Sequence, residues 1–128
     1  MNSNQLTIIE NKGLVLPKSN LALASYISAK KVGRQIWVSG QLPFRDGELL
    51  ATGKIDDSMI GAASGAIAQS FVNGLGAALG VLQGEKIKGV DKMSGFVTGV
   101  AGFDKHHLVV NGASDLAVEL FGEEGRHV

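Results

Sequence analysis

No cysteine occurs in the 128 residues, which removes disulfide staples, thiolate nucleophiles and zinc–thiolate sites together. That fits a reducing compartment, and a cytoplasmic location is expected. Aromatic side chains make up only 5% of the chain, with one tryptophan and one tyrosine, so small side chains must fill the core. Neither sign of charge dominates: Lys+Arg and Asp+Glu both number 12, leaving no global field to attract a polyanion or an anionic membrane. Nucleic acid is a disfavoured partner on that ground. No apolar run approaches the roughly 20 residues that cross a bilayer. The start Met1-Asn2-Ser3-Asn4-Gln5 has no basic n-region ahead of an apolar stretch, so neither a membrane partner nor an export signal is expected.

What is plentiful is glycine, 18 residues of it, alongside a hydrophobic share of 45%. Closely approaching backbones in one core explain both, and the length suits a single domain over 1–128. Residues 1 to about 20 read as an irregular arm lying on the surface, with Leu14, Val15 and Leu16 as an apolar patch before Pro17. A first strand over Ala24 to Ile27 then turns through Lys30-Lys31-Val32-Gly33-Arg34 into a second over Gln35 to Ser39, forming a hairpin. Asp46-Gly47 marks a further turn, and Thr52-Gly53-Lys54 another break.

From Ser58 to Leu82 the residues Ile60, Ala63, Ile67, Phe71, Leu75, Leu79 and Leu82 recur at helical spacing, with Asp57 or Ser58 as cap and Gly84 as stop. Its internal glycines each cost about 1 kcal/mol against alanine, which close packing on a sheet would offset. Val90 to Ala101 reads as a central strand covered on both faces. Asp104 caps a second helix, Lys105 to Phe121, with Val109, Ala113, Leu116 and Leu120 inward and Gly122 as its end. The order strand, strand, helix, strand, helix is one return strand short of a split β-α-β fold, so one or more C-terminal strands beyond Val128 are expected.

Chemistry-bearing residues are few. His106 and His107 are adjacent and diverge from a helix start, so they point to no metal site. Ser39 lies outside any Gly-x-Ser-x-Gly elbow, and it suits a hydrogen-bond donor better than a nucleophile. The run Gln35-Ile36-Trp37-Val38-Ser39-Gly40-Gln41-Leu42-Pro43 is more informative, because a strand ending in glycine lets its backbone approach another chain or a ligand; a plain turn is the simpler alternative. Asn111, in the apolar stretch Val109-Val110-Asn111-Gly112-Ala113, is either a satisfied core or interface amide or a side chain lining a cleft.

Taken together, Ser25-Tyr26, Val38-Ser39-Gly40-Gln41-Leu42-Pro43, Gln69-Ser70-Phe71-Val72-Asn73, Phe96-Val97-Thr98 and Val110-Asn111-Gly112 resemble the YjgF/RidA family of reactive-intermediate deaminases, in a less characterised branch. The resemblance implies an α+β, chorismate-mutase-like fold, a sheet backed by two helices, assembled as a homotrimer with clefts between subunits. It also implies hydrolysis of small enamines and imines of the 2-aminoacrylate type to 2-keto acid and ammonia, without metal or cofactor. By position, Tyr26 would wall the cleft, Ser39 and Gly40 would give polar and backbone contacts, and Asn111 would face it from the second helix. The family's carboxylate-binding arginine stands at the start of the strand after the second helix; Arg126 is out of register with it and is not assigned that role. Two alternatives remain: a trimeric module that binds small carboxylates without chemistry, and an endoribonuclease, a label the family also carries.

Overall fold

The computed structural model describes residues 1–18 and 25–128. Its spine is helix α2, Ile60–Leu79, whose inward stripe of Ala63, Ala66, Val72 and Leu75 realises the helical periodicity of the sequence. The start differs by a residue or two: a 3₁₀ turn over Asp57–Met59 precedes the helix, and Asp56 caps it by accepting from the Ser58 N–H at 2.9 Å. The end comes at Gly80 rather than Gly84, which instead serves a following turn with φ of +80°.

Helix α3, His106–Phe121, buries Val109, Ala113, Leu116 and Leu120 as expected, with Ala117 added. Asp104 is not its cap; Lys105 stands there and makes no capping side-chain bond. Gly122 closes it with φ of +61°. The two helices pack directly on each other, and a Cβ at Gly112 would collide with the backbone carbonyl of Ser64.

Against α2 lies a hairpin of β1, Ala29–Val32, and β2, Gln35–Val38. Its register pairs Ala29 with Val38 and Val32 with Gln35, leaving the two-residue loop Gly33-Arg34. Gly33 has φ of +61°, the left-handed conformation that the first loop position of a type II′ turn demands. The expected hairpin is therefore present but displaced: Lys30-Lys31-Val32 is strand rather than turn, and Ser25 to Ile27 is not strand. Ala24 lies outside the described residues. Charge misled there, since a lysine on the exposed face of a strand costs little. A second small hairpin, β3 (Phe44–Arg45) with β4 (Glu48–Leu49), closes at Asp46-Gly47, both in positive φ as a type I′ turn requires.

The stretch 90–101 corrects the expectation of a strand covered on both faces. It runs extended past two neighbours. Ile55 makes a parallel bridge with Gly99, and residues 90–93 bond to residues 124–128 through Val90 to Glu124, Met93 to Val128 and Val128 to Asp91. Val97 packs inward with Ile55, Ala63 and Val109, whereas Phe96 is 90% exposed. Within one chain, then, only the helix-facing side is covered.

The N-terminal stretch is also more than an irregular arm. Helix α1, Ser3–Asn11, is set by a capping box in which the Asn2 side chain accepts from the Gln5 N–H while Gln5 accepts from the Asn2 N–H. It buries Ile9 in the core with Leu14, Val72 and Leu116, and Gln5 Nε2 donates to the Leu120 carbonyl at 3.0 Å. The result is an α+β fold, with three α-helices and two small sheets among the described residues. No helix among the described residues is long and apolar enough to cross a membrane.

Close packing accounts for some helical glycines only. Gly65 has open space where a Cβ would be, while Gly112 has none. Gly65→Ala is therefore expected to raise stability by about 1 kcal/mol, and Gly112→Ala to lower it by about 1–3 kcal/mol. Urea titration of the two variants checks both signs.

Candidate functional site

The segment Ser39–Pro43 leaves the end of β2 and is held from two sides. On one side Ser39 ties it to the chain before β1: its N–H donates to the Ser28 carbonyl at 2.9 Å and its hydroxyl to the Ile27 carbonyl at 2.5 Å. The hydroxyl proton is thus committed to the fold. Ser39 acts as a donor, as its sequence setting suggests, but toward Ile27, which leaves its oxygen with capacity to accept. The same bonds keep the half-exposed Tyr26 close to the motif.

On the other side the motif meets α2. Asn73 Nδ2 donates to the carbonyls of Leu42 and Phe44 at 3.0 and 2.9 Å, spanning Pro43. Pro43 itself sits at the tip of a three-residue turn closed by the Phe44 N–H donating to the Leu42 carbonyl at 2.8 Å. Asn73 is held in turn by Gln69, one helical turn earlier, whose Nε2 donates to Asn73 Oδ1 at 2.9 Å. Both amides are buried, Gln69 completely and Asn73 at 7% exposure. Buried amides need partners, and no buried side-chain N or O among the described residues lacks one.

Between these anchors Gly40 is exposed, with nothing within 4 Å of where a Cβ would stand. Among the described residues no group accepts from its N–H. Such a backbone donor is open to an electron-rich ligand atom. Asn111 is in a different place. It lies exposed on α3, while β1 and β2 pack on α2, and no hydrogen bond among the described residues joins it to Tyr26, Ser39 or Gly40. The structure thus ties Ser39 to Ile27, the neighbour of Tyr26, with Gly40 next in the chain, and Asn111 is not bonded to them among the described residues.

Other polar groups form local pairs. Arg126 engages Glu123 at 3.0 Å, and His127 Nε2 lies 2.9 Å from the Ser114 hydroxyl. Lys105 bonds Asp57 beside a shallow depression lined by Asp56, Ser58 and Phe103, and that bond raises the Lys105 pKa above its ordinary value. Glu85 is lowered by its hydrogen bond and charge pairing with Lys31. His106 packs edge-on against Phe103, their ring centres 4.9 Å apart.

Comparison with known proteins decides the lineage. Residues 7–128 match the family described as "YjgF/chorismate_mutase-like, putative endoribonuclease". The chain belongs to that family. Protein TCP17 of Trypanosoma cruzi is 38% identical over 124 residues, covering 93% of this chain and 76% of that protein. Among solved structures, Atu1372 of Agrobacterium tumefaciens, a protein of unknown function, superposes with a TM-score of 0.85 at 35% identity, covering 98% of this chain and 79% of the other. A putative endoribonuclease of Shewanella oneidensis MR-1 gives 0.77 at 28% identity, covering 98% and 85%. The chorismate-mutase-like assignment made from the motifs is therefore correct. The Ser-Gly-Gln-x-Pro motif pointed to the YjgF family, but the two amides beneath the segment were not legible in it.

Two outcomes test this geometry. Ser39→Ala removes one hydroxyl bond and should lower stability by about 0.5–1.5 kcal/mol, with faster amide exchange at Ser39, whereas Ser39→Thr should retain both. The Glu85–Lys31 pair stabilises above the ordinary carboxylate pKa and loses its contribution as pH falls through the lowered folded value. Glu85→Gln should thus lower the melting temperature slightly at neutral pH and leave it unchanged well below the carboxylate range, an effect that salt weakens.

Proposed function

We propose that this protein hydrolyses small reactive imines and their enamine tautomers, of the 2-aminoacrylate type, to 2-keto acid and ammonia, in clefts between the subunits of a homotrimer. One observation carries the reading: Gly40 is exposed, its N–H has no acceptor among the described residues, and it lies on a segment held by Ile27, the neighbour of Tyr26, on one side and by Asn73 on the other.

Exposed apolar side chains support the assembly. Trp37, 64% exposed, shares an outward strand face with Val32, and Phe96 and Val100 are turned away from the helices. An apolar sheet face of this kind is normally covered, and copies arranged about a symmetry axis cover it mutually. The same assembly gives Asn111 a role. Since it stands apart from the motif within one chain, a neighbouring subunit is what would complete a cleft containing all four residues.

The chemistry is hydrolysis at carbon. The enamine takes a proton on its terminal carbon and gives one up from nitrogen, becoming the imine. Water then adds to the imine carbon, its proton passing to nitrogen as the π pair moves there, and the tetrahedral carbinolamine collapses to the keto group while ammonia departs. Gly40 N–H would hold an electron-rich atom of the substrate, Tyr26 would limit the cleft and exclude bulk water, and the lone pairs of Ser39 would orient the attacking water. No redox change occurs, so the reaction calls for no cofactor.

The RNA-cleavage reading rests on the family description and on the Shewanella relative. Balanced charge supports it less, because tight RNA binding normally draws on a basic footprint.

Purified protein should accelerate ammonia and 2-keto acid release from freshly generated 2-aminoacrylate. No acceleration over the spontaneous reaction rejects the proposal, and calorimetric binding of a small carboxylate without turnover points to the non-catalytic module instead. Titration with single-stranded RNA should show negligible affinity at physiological salt; tight binding with a steep salt dependence would favour the nuclease.

A further inference from the structure

Gln69 and Asn73 do more than satisfy each other. The Gln69 amide accepts from the Val15 N–H at 3.0 Å and donates to the Val15 carbonyl at 2.7 Å, gripping one residue of the N-terminal segment as a neighbouring strand would. Its Nε2 also reaches Asn73, which holds the carbonyls on either side of Pro43. One line of hydrogen bonds therefore runs from Val15 through two buried side chains to the motif. Two further contacts follow the same route. Pro17 rests on Gly76, where a Cβ would lie 2.6 Å from its Cγ, and Arg45 donates to the Gly13 carbonyl at 3.0 Å.

We infer that Gln69 and Asn73 are positioning residues of the cleft, a two-amide relay through which the segment Gly13–Pro17 sets the conformation of Leu42–Phe44 and hence of Ser39 and Gly40. The inference rests on the cleft reading above. Its physical basis is that an amide fixes direction as well as distance: Asn73 donates through Nδ2 to Leu42 and Phe44 and accepts at Oδ1 from Gln69, so turning either amide over would set donor against donor or acceptor against acceptor. Apolar residues at these positions would fill the volume and leave the Pro43 turn free to choose among conformations.

The test is amide hydrogen exchange without substrate, read at Phe44 and at Leu50, whose N–H donates to the Pro43 carbonyl at 2.9 Å. Asn73→Ser and Gln69→Met are compared with Leu116→Val, a core variant distant from the motif, under conditions matched for global stability. Both relay variants should raise exchange at Phe44 and Leu50 by about tenfold over Leu116→Val. Gln69→Met is the decisive one, because it touches the motif only through Asn73. If it frees Val15 but leaves Phe44 and Leu50 protected, the relay is refuted; equal exchange in all three variants refutes it too. Should either relay variant fail to fold, Arg45→Met probes the same coupling from the surface and should raise exchange at Phe44, unchanged protection counting against the relay. On 2-aminoacrylate, Asn73→Ser should lower kcat/KM by about tenfold or more, with Leu116→Val close to the parent. A parent protein without turnover would overturn the deaminase reading while leaving the exchange result to decide the relay.

Discussion

The buried Gln69–Asn73 pair is the interaction on which the rest of this structure depends. A long apolar helix offers no reason for two amides to sit one turn apart inside the core, and burying them unpaired would cost several kcal/mol (about 1–3 for each unsatisfied group). Their partners are backbone groups of two segments far apart in the chain: Val15 on one side, Leu42 and the first residue of β3, Phe44, on the other. The pair thus ties these two segments together. It also explains how a glycine-bearing segment can be exposed and ordered at once.

From that anchor the functional reading follows in steps. The motif is fixed on one side by Asn73 and on the other by the bond of Ser39 to Ile27, leaving Gly40 exposed between them. Trp37 and Phe96 are both exposed, at 64% and 90%. In the proposed assembly, neighbouring copies would cover them and complete the cleft. Family membership is consistent with this arrangement, while the choice between imine hydrolysis and RNA cleavage rests on charge and site geometry.

Much of this was legible in the sequence. The seven apolar residues from Ile60 to Leu82 and the stripe Val109, Ala113, Leu116, Leu120 placed both long helices, because a helical period sustained over many residues has few competing explanations. Ser-Gly-Gln-x-Pro gave the family. The misses have specific causes. Helix α1 was announced by Asn2 with Gln5 three residues on, a capping-box spacing, but its polar opening hid an inward Ile9. β1 was displaced because two lysines and a glycine look like a turn when only one strand face is buried. The stretch 90–101 looked covered on both sides because its outward residues, Phe96 and Val100, are apolar in a chain that leaves them exposed. Nothing local to Gln69 or Asn73 reveals their partners, which lie 54 and about 30 residues away in the chain.

The central claim is that the site is shared between subunits, and its most direct measurement is specific activity on 2-aminoacrylate as the protein is diluted, with Trp37 fluorescence and sedimentation followed in parallel. The account predicts that activity per chain falls together with the oligomer, as Trp37 passes from a covered to an exposed environment. Constant activity per chain in a population shown to be monomeric would contradict it.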